Sequence, residues 1–215
     1  MSVVKNEKGR GILLAMVKGI QDNKQYLGDV DGLIGDGDHG MNMNKGFTMY
    51  AEQLGDGETS FSDGLFDLGT VLLNKIGGSM GPIYGTIFME MADAADGEED
   101  ITLELFAKML QAGLDGLYEI VEARPGDKTL VDTLNPCVEW MNQAAEEGKA
   151  FDAALEGMKK CARKGMESTK DMVAIYGRAA RLGERSRGVP DAGASSCCII
   201  LQAMADGMLK VLKDC

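Results

Sequence analysis

Apolar residues recur at three- and four-residue steps along most of the chain, the period of a helix with one buried face. The clearest stretches are 10-RGILLAMVKGIQDNKQYLGD-29, 63-DGLFDLGTVLLNKIG-77, 81-GPIYGTIFMEMADAA-95, 102-TLELFAKMLQAGLDGLYEIVEA-123 and 151-FDAALEGMKKCARKGMESTKDM-172. A sixth, 196-SCCIILQAMADGMLKVLK-213, follows the same rule. No segment alternates apolar and polar positions long enough to argue for a strand.

Local signals set the boundaries. Ser60, with Asp63 three residues on, resembles a helix-start box. Pro82 suits the first turn of a helix. Pro125-Gly126 marks a turn before a helix beginning near Asp127, which Pro136 should kink or split. With 39-HGMNMNKGF-47 opening a further helix, the count is about eight, and no long Pro- or Ser-rich linker separates them. The economical architecture is a single all-α domain over residues 1–215. Four glycine-rich breaks interrupt the helices: 35-GDGDHG-40, 77-GGSMGPIYG-85, 125-PGDKT-129 and 183-GERSRGVPDAG-193. In an antiparallel bundle such loops gather at one end, where a rigid scaffold supports a site.

Composition narrows the class. The chain has 215 residues, 45% hydrophobic and 26% charged, with a net charge of −12. That balance is globular, and an acidic chain is a poor partner for nucleic acid, whose phosphates need a basic face. No window approaches 18 uninterrupted apolar residues and no signal-peptide core opens the chain, so we expect a cytoplasmic protein without a membrane span. The cysteines Cys137, Cys161, Cys197, Cys198 and Cys215 are odd in number and form no C-x-x-C, which reads as reduced structural thiols. The 15 methionines sit mainly at helical spacing and read as core filling.

The stretch 31-DGLIGDGDHGMNMNKGF-47 carries the chemistry. Asp31, Asp36 and Asp38 crowd three carboxylates together, and like charges raise one another's pKa unless something positive offsets them. Carboxylate oxygens suit Mg²⁺ or Ca²⁺. An EF-hand is excluded, because counting from Asp36 puts Gly40 and Phe47 where oxygen ligands are required. Zinc would want more His or Cys. Mg²⁺ shared with a phosphate compound is the best chemical match, since Mg²⁺ binds few carboxylates and keeps positions for phosphate oxygens. The helix that opens at His39 adds unsatisfied amides and a positive dipole end for an anion. On spacing alone a solvated acidic turn explains the cluster equally well, and the chain's only histidine, His39, is by itself weak evidence. Neither G-x-x-x-x-G-K-[ST] nor G-x-G-x-x-G after a strand is present.

Taken together, IGDGDHGMNMNKGF, GGSMGPIYG, PGDKTLVDTLNP and GRAARLGERSRGVPDAGASS resemble, in order and separation, the nucleotide-binding L subunits of dihydroxyacetone kinases. The resemblance covers essentially the whole chain. It implies eight antiparallel helices in a barrel-like bundle with ADP or ATP at one end. It implies that Asp31, Asp36 and Asp38 bind two Mg²⁺ ions bridging to the phosphates, and act in catalysis through the metal. It implies that His39, Gly40, Met41 and Asn42 line the phosphate site and that the loop Gly77 to Gly81, with Gly78, Ser79 and Met80, covers the phosphates. Leu130, Arg178, Asp191 and Gly193 would lie around the nucleoside. Without the resemblance, Leu130 reads equally as core, Arg178 as a surface ion pair worth little, and Gly193 as a turn end. Two departures stand out. Met80 occupies a loop that is commonly G-G-A-S-G, and Ala180-Arg181 replace a Ser-Tyr pair.

The resemblance further implies a phosphoryl-donor subunit that works with a K subunit, whose histidine holds the sugar covalently. In the phosphotransferase-system version, bound ADP is rephosphorylated in place by a phosphohistidine M subunit. An ATP-exchanging kinase for a related ketose such as erythrulose is the nearest alternative. A nucleotide-bound regulatory module contacting a transcription factor is another. A homodimer is open by analogy only.

Overall fold

The computed structural model describes residues 2–213. Its α-helices are α1 (Gly9–Ile34), α2 (His39–Leu54), α3 (Phe61–Lys75), α4 (Met80–Asp93), α5 (Leu103–Ile120), α6 (Val131–Glu146), α7 (Phe151–Ser168) and α8 (Ala192–Lys213). A short antiparallel ribbon, β1 (Val4–Lys5) with β2 (Asp100–Ile101), ties the start of the chain to the α4–α5 connection. The periodicity gave no sign of it, because two residues are too few to show alternation. Short 3₁₀ turns occur at Asn6–Lys8, Thr169–Asp171 and Ala179–Ser186.

Each helix packs on the next, and α8 returns to pack on α1, which closes the bundle into a ring. One apolar core runs through all eight helices, with Phe47, Phe61, Phe88, Phe106 and Phe151 inside it. Some crossings are close enough to need glycine. A Cβ on Gly69 of α3 would meet the Gly85 carbonyl of α4 at 2.8 Å, and a Cβ on Gly85 would meet the Gly69 carbonyl at 3.0 Å.

The caps match the sequence at the far end of the bundle. Ser60 Oγ accepts the Asp63 amide at 3.0 Å, and Thr102 Oγ1 accepts the Leu105 amide at 3.1 Å. Pro136 does not split its helix. α6 begins at Val131, not near Asp127, and runs unbroken through Pro136. The ring deprives the Asp132 carbonyl of its helical donor. Gly165 of α7 fits against that carbonyl so closely that a Cβ there would lie 2.3 Å from it.

α8 is long and apolar enough to cross a membrane by length and composition, yet 61% of its most apolar stretch is buried inside the bundle. Cys137, Cys197 and Cys198 are buried, Cys161 is partly so, and these four are free thiols. Cys215 lies outside the described residues.

Because consecutive helices alternate in direction, the connections α1–α2 (35–38), α3–α4 (76–79), α5–α6 (121–130) and α7–α8 (169–191) share one end of the bundle. The even-numbered helices all start there. All four glycine-rich breaks of the sequence belong to this end.

Candidate functional site

These four connections enclose a cavity of about 450 Å³, within the usual range of small-molecule sites. Of the residues singled out from the sequence, Asp31, Asp36, Asp38, His39, Asn42, Gly78, Ser79, Met80, Leu130, Arg178, Asp191 and Gly193 line it. Gly40 and Met41 do not. Gly40 is buried against α1, where a Cβ would meet the Lys24 carbonyl at 1.9 Å, so it permits helix contact. Met41 is exposed on the outer face of α2.

The acidic wall comes from the α1–α2 corner. α1 runs further than its periodic stretch, so Asp31 sits on its last turn, while Asp36 and Asp38 lie in the turn before α2. The carboxylates bring their oxygens within 4.8 Å of one another, the arrangement a cation would need. Gly35 leaves the room for this, since a Cβ there would lie 2.3 Å from Asp31 Oδ1. Gly37 turns the chain at φ +77°. Burial, then the neighbouring Asp36 and Asp31 carboxylates, push the Asp38 carboxyl above its ordinary range, and Arg178 pulls it back. Arg178 Nη2 lies 2.9 Å from Asp36 Oδ2. That guanidinium is part of the positive charge the acidic cluster required.

Beside the aspartates, the starts of α2 and α4 are open. Neither Asp38 before α2 nor Ser79 before α4 caps its helix with a side chain, whereas at α6 Thr129 Oγ1 accepts the Val131 amide at 3.2 Å and backbone carbonyls take the next ones. The far-end starts of α3 and α5 are capped. Uncapped amides and converging positive dipole ends favour an anion at this end. Gly78, at φ +70° with open space around it, lets the α3–α4 turn lie over the cavity.

Several lining residues escaped the sequence reading, among them Tyr84, Thr129 and Tyr176. Tyr84 falls in both the periodic stretch 81–95 and the glycine-rich break 77–85, and neither singles it out. Its hydroxyl lies 2.6 Å from Ser196 Oγ and donates to the Gly193 carbonyl at 3.1 Å. His39 joins the same cluster through Nε2, 2.8 Å from Ser196 Oγ. Burial holds the His39 imidazole down to about 4, against the pull of Asp31, so it is neutral. Asp191 caps α8, with Oδ2 accepting the Ala194 amide at 2.7 Å. Burial pushes its carboxyl up to about 6, opposed by that amide and by Lys128. The site thus offers hard oxygen ligands and open amides on one side, and Leu130, Gly193 and the Asp191 carboxyl on the other.

The chain matches the family model described as the DAK2 domain over residues 33–206. It is 40% identical over 184 residues to the PEP-dependent dihydroxyacetone kinase, ADP-binding subunit DhaL, of Escherichia coli (strain K12), covering 84% of this chain and 87% of that one. It is 37% identical over 186 residues to the PEP-dependent dihydroxyacetone kinase 1, ADP-binding subunit DhaL, of Listeria innocua, covering 86% and 88%. Among solved structures, the dihydroxyacetone kinase of C. freundii in its native form superposes with a TM-score of 0.71 at 21% identity. That match covers 91% of this chain and 33% of the larger one, so the chain spans a third of that kinase and the likeness is one of fold. The same kinase in complex with AMP-PNP and Mg²⁺ gives a TM-score of 0.67, at 21% identity and with 92% and 33% covered. By the family match and the two relatives, the chain belongs to the DAK2-domain family, among the ADP-binding L subunits of dihydroxyacetone kinases.

Proposed function

We propose that this chain is the phosphoryl-donor subunit of a cytoplasmic dihydroxyacetone kinase, with ADP or ATP and two Mg²⁺ held in the cavity as a resident cofactor. The observation that carries the reading is the convergence of Asp31, Asp36 and Asp38 beside the uncapped starts of α2 and α4. The donor set fits the group: carboxylate oxygens for a hard cation, amides for phosphate oxygens. A chain of net charge −12 would otherwise repel a nucleotide.

Asp31, Asp36 and Asp38 would hold the metal, which when bound neutralises charge on the transferring phosphoryl group and the leaving diphosphate. The chain's own part is positioning. The first turns of α2 and α4 orient the phosphates by their amides. The turn at Gly78–Ser79 covers them and limits water. Met80 brings no hydroxyl, so at that position recognition rests on the backbone. Leu130 and Gly193 supply a narrow apolar slot for the nucleoside, with Arg178 and Asp191 at its edges.

The acceptor ketose would be held by a K subunit. The chain's one histidine is neutral, buried and bonded to Ser196, which leaves none free to hold a sugar covalently. Recharging would come from a phosphohistidine M subunit, with the nucleotide remaining in place.

Native mass spectrometry before and after EDTA tests the reading. A co-purifying mass of ADP with two Mg²⁺, lost with the chelator, is expected, together with phosphoryl transfer to dihydroxyacetone only when a K subunit is present. A chain that exchanges Mg-ATP weakly and reversibly would be an ATP-dependent kinase subunit instead. A chain that binds neither nucleotide nor Mg²⁺ would sink the proposal.

A further inference from the structure

Lys128 is 1% exposed, although lysine is among the residues least often buried. It is also the only non-glycine among the described residues with a positive φ, at +61°. A lysine held in that region is strained, and such strain persists only where the surroundings impose it. What imposes it is visible. Lys128 Nζ donates to the Thr169 carbonyl at 2.5 Å and to the Val189 carbonyl at 2.5 Å.

Those two carbonyls lie on either side of the long α7–α8 connection. Thr169 follows the C-terminus of α7, where a cation meets the negative end of the helix dipole. Val189 is two residues before Asp191. The α5–α6 loop is fixed from its other side by Asp132, whose carboxylate accepts the Gly126 amide at 2.6 Å and the Thr129 amide at 2.8 Å. Thr169 Oγ1 in turn accepts the Asp191 amide at 2.9 Å. Burial draws the Lys128 ammonium below the usual lysine range, while Asp191 and then Asp132 hold it up and Arg187 opposes them.

The residues that follow these anchors form one wall of the cavity: Thr129 and Leu130 on one loop, Asp191, Ala192 and Gly193 on the other. They nearly touch. A Cβ on Gly193 would meet Leu130 N at 3.6 Å and Leu130 Cβ at 3.7 Å. The carboxylate wall is built from the α1–α2 corner and makes no contact with Lys128; the α7–α8 connection reaches it through the exposed Arg178–Asp36 pair.

We infer that Lys128 is a positioning residue for the nucleoside half of the site: by tying the Thr169 and Val189 carbonyls under the α5–α6 loop, it sets the Leu130–Gly193 slot and leaves the metal–phosphate half untouched. This rests on the nucleotide reading above. It separates two halves of one ligand, and so makes a prediction that a general structural role does not.

The test uses the full chain carrying Lys128→Met, which keeps the bulk of the side chain and removes its donors. Binding of ADP and of inorganic diphosphate, each with Mg²⁺, is measured by calorimetry on wild type and variant. The expected result is a loss of about tenfold or more for ADP, the scale of a lost buried hydrogen bond to charge, with diphosphate affinity unchanged. Equal losses for both ligands, or an unchanged ADP affinity, would overturn the inference. Should the variant fail to fold, hydrogen exchange on the wild type decides. ADP, but not diphosphate, should protect the amides of 128–131 and 191–194, and equal protection by both would overturn it. A wild-type chain that binds neither ligand would instead bring down the nucleotide reading, and the inference with it.

Discussion

His39 Nε2 lies 2.8 Å from Ser196 Oγ, and through this contact the first turn of α2 is fixed to the first turns of α8 beneath the cavity floor. The serine hydroxyl also meets the Tyr84 hydroxyl at 2.6 Å and the Gly193 carbonyl at 3.1 Å. Three walls of the site thus share one buried polar hub. Ser196→Ala would leave His39 Nε2 buried without a partner. The expected cost is about 1–3 kcal/mol, the penalty for an unsatisfied buried group, read by urea unfolding. Tyr84→Phe should cost less, about 1 kcal/mol, because Ser196 keeps both His39 and Gly193. Equal losses would mean that the hub is not centred on the serine.

The Arg178–Asp36 pair implies competition between the guanidinium and a metal ion for one carboxylate. Both side chains are substantially exposed, so the pair itself contributes little to stability. Arg178→Ala should leave unfolding unchanged and tighten binding of Mg²⁺ alone by about two- to fivefold, the size of an exposed ion pair. On the proposed function, with Arg178 at the edge of the nucleoside slot, it should weaken binding of Mg-ADP. Asp36→Asn should abolish the stabilisation by Mg²⁺ with little effect on the metal-free protein. Calorimetric titration with MgCl₂, with and without ADP, separates the two variants. An Arg178→Ala chain with unchanged Mg²⁺ affinity would show that the pair is only a crossing of surface side chains.

Gly40 and Met41 distinguish helix packing from ligand contact. With the Lys24 carbonyl 1.9 Å from a Cβ at position 40, Gly40→Ala must push α2 off α1. A cost of about 3 kcal/mol or more is expected, at the upper end for overpacking, with lower yield of folded protein. Met41→Ala, on an exposed side chain, should alter neither stability nor ADP affinity. A drop in ADP affinity for Met41→Ala, without loss of stability, would return that residue to the site.

These residues also show how far the sequence could be read. The 3.6-residue period located the helices, and the D-x4-D-x-D spacing located the acidic corner, because both are local. The direction of the side chains at the α2 start was not part of what the spacing gave. In a first helical turn His39 and Asn42, three apart, share a face, while Gly40 and Met41 are turned away by successive steps of about 100°. Tyr84 and Lys128 were out of reach for another reason. Their partners Ser196, Thr169 and Val189 lie far along the chain, and only the closed ring of helices brings them together. Pro136 did not split its helix, and the carbonyl it leaves without a helical donor faces Gly165 on another helix, a packing that no single-helix rule contains.

The pH dependence of stability separates two groups, buried His39 and half-buried Asp191, whose effects oppose. His39 is held down to about 4 from 6.5, so the folded protein binds fewer protons than the unfolded one in that window, and stability rises with pH across it. Asp191 is pushed up to about 6 from 3.8, so the folded protein binds more protons there, and stability falls as pH rises. Asp38, raised in the same direction as Asp191, adds to the second effect. Between pH 4 and 6 the wild-type curve should therefore be nearly flat. Asp191→Asn keeps the cap on α8, because the amide oxygen can still accept the Ala194 N–H, but it cannot ionise. Its stability relative to wild type should rise between pH 4 and 6, by on the order of 3 kcal/mol for a shift of this size, and level off above. Urea unfolding at half-unit steps from pH 4 to 8 measures that difference. A constant difference across the range would mean that the Asp191 carboxyl titrates in the folded protein as it does in the unfolded chain, and that its burial at the head of α8 is relieved by water.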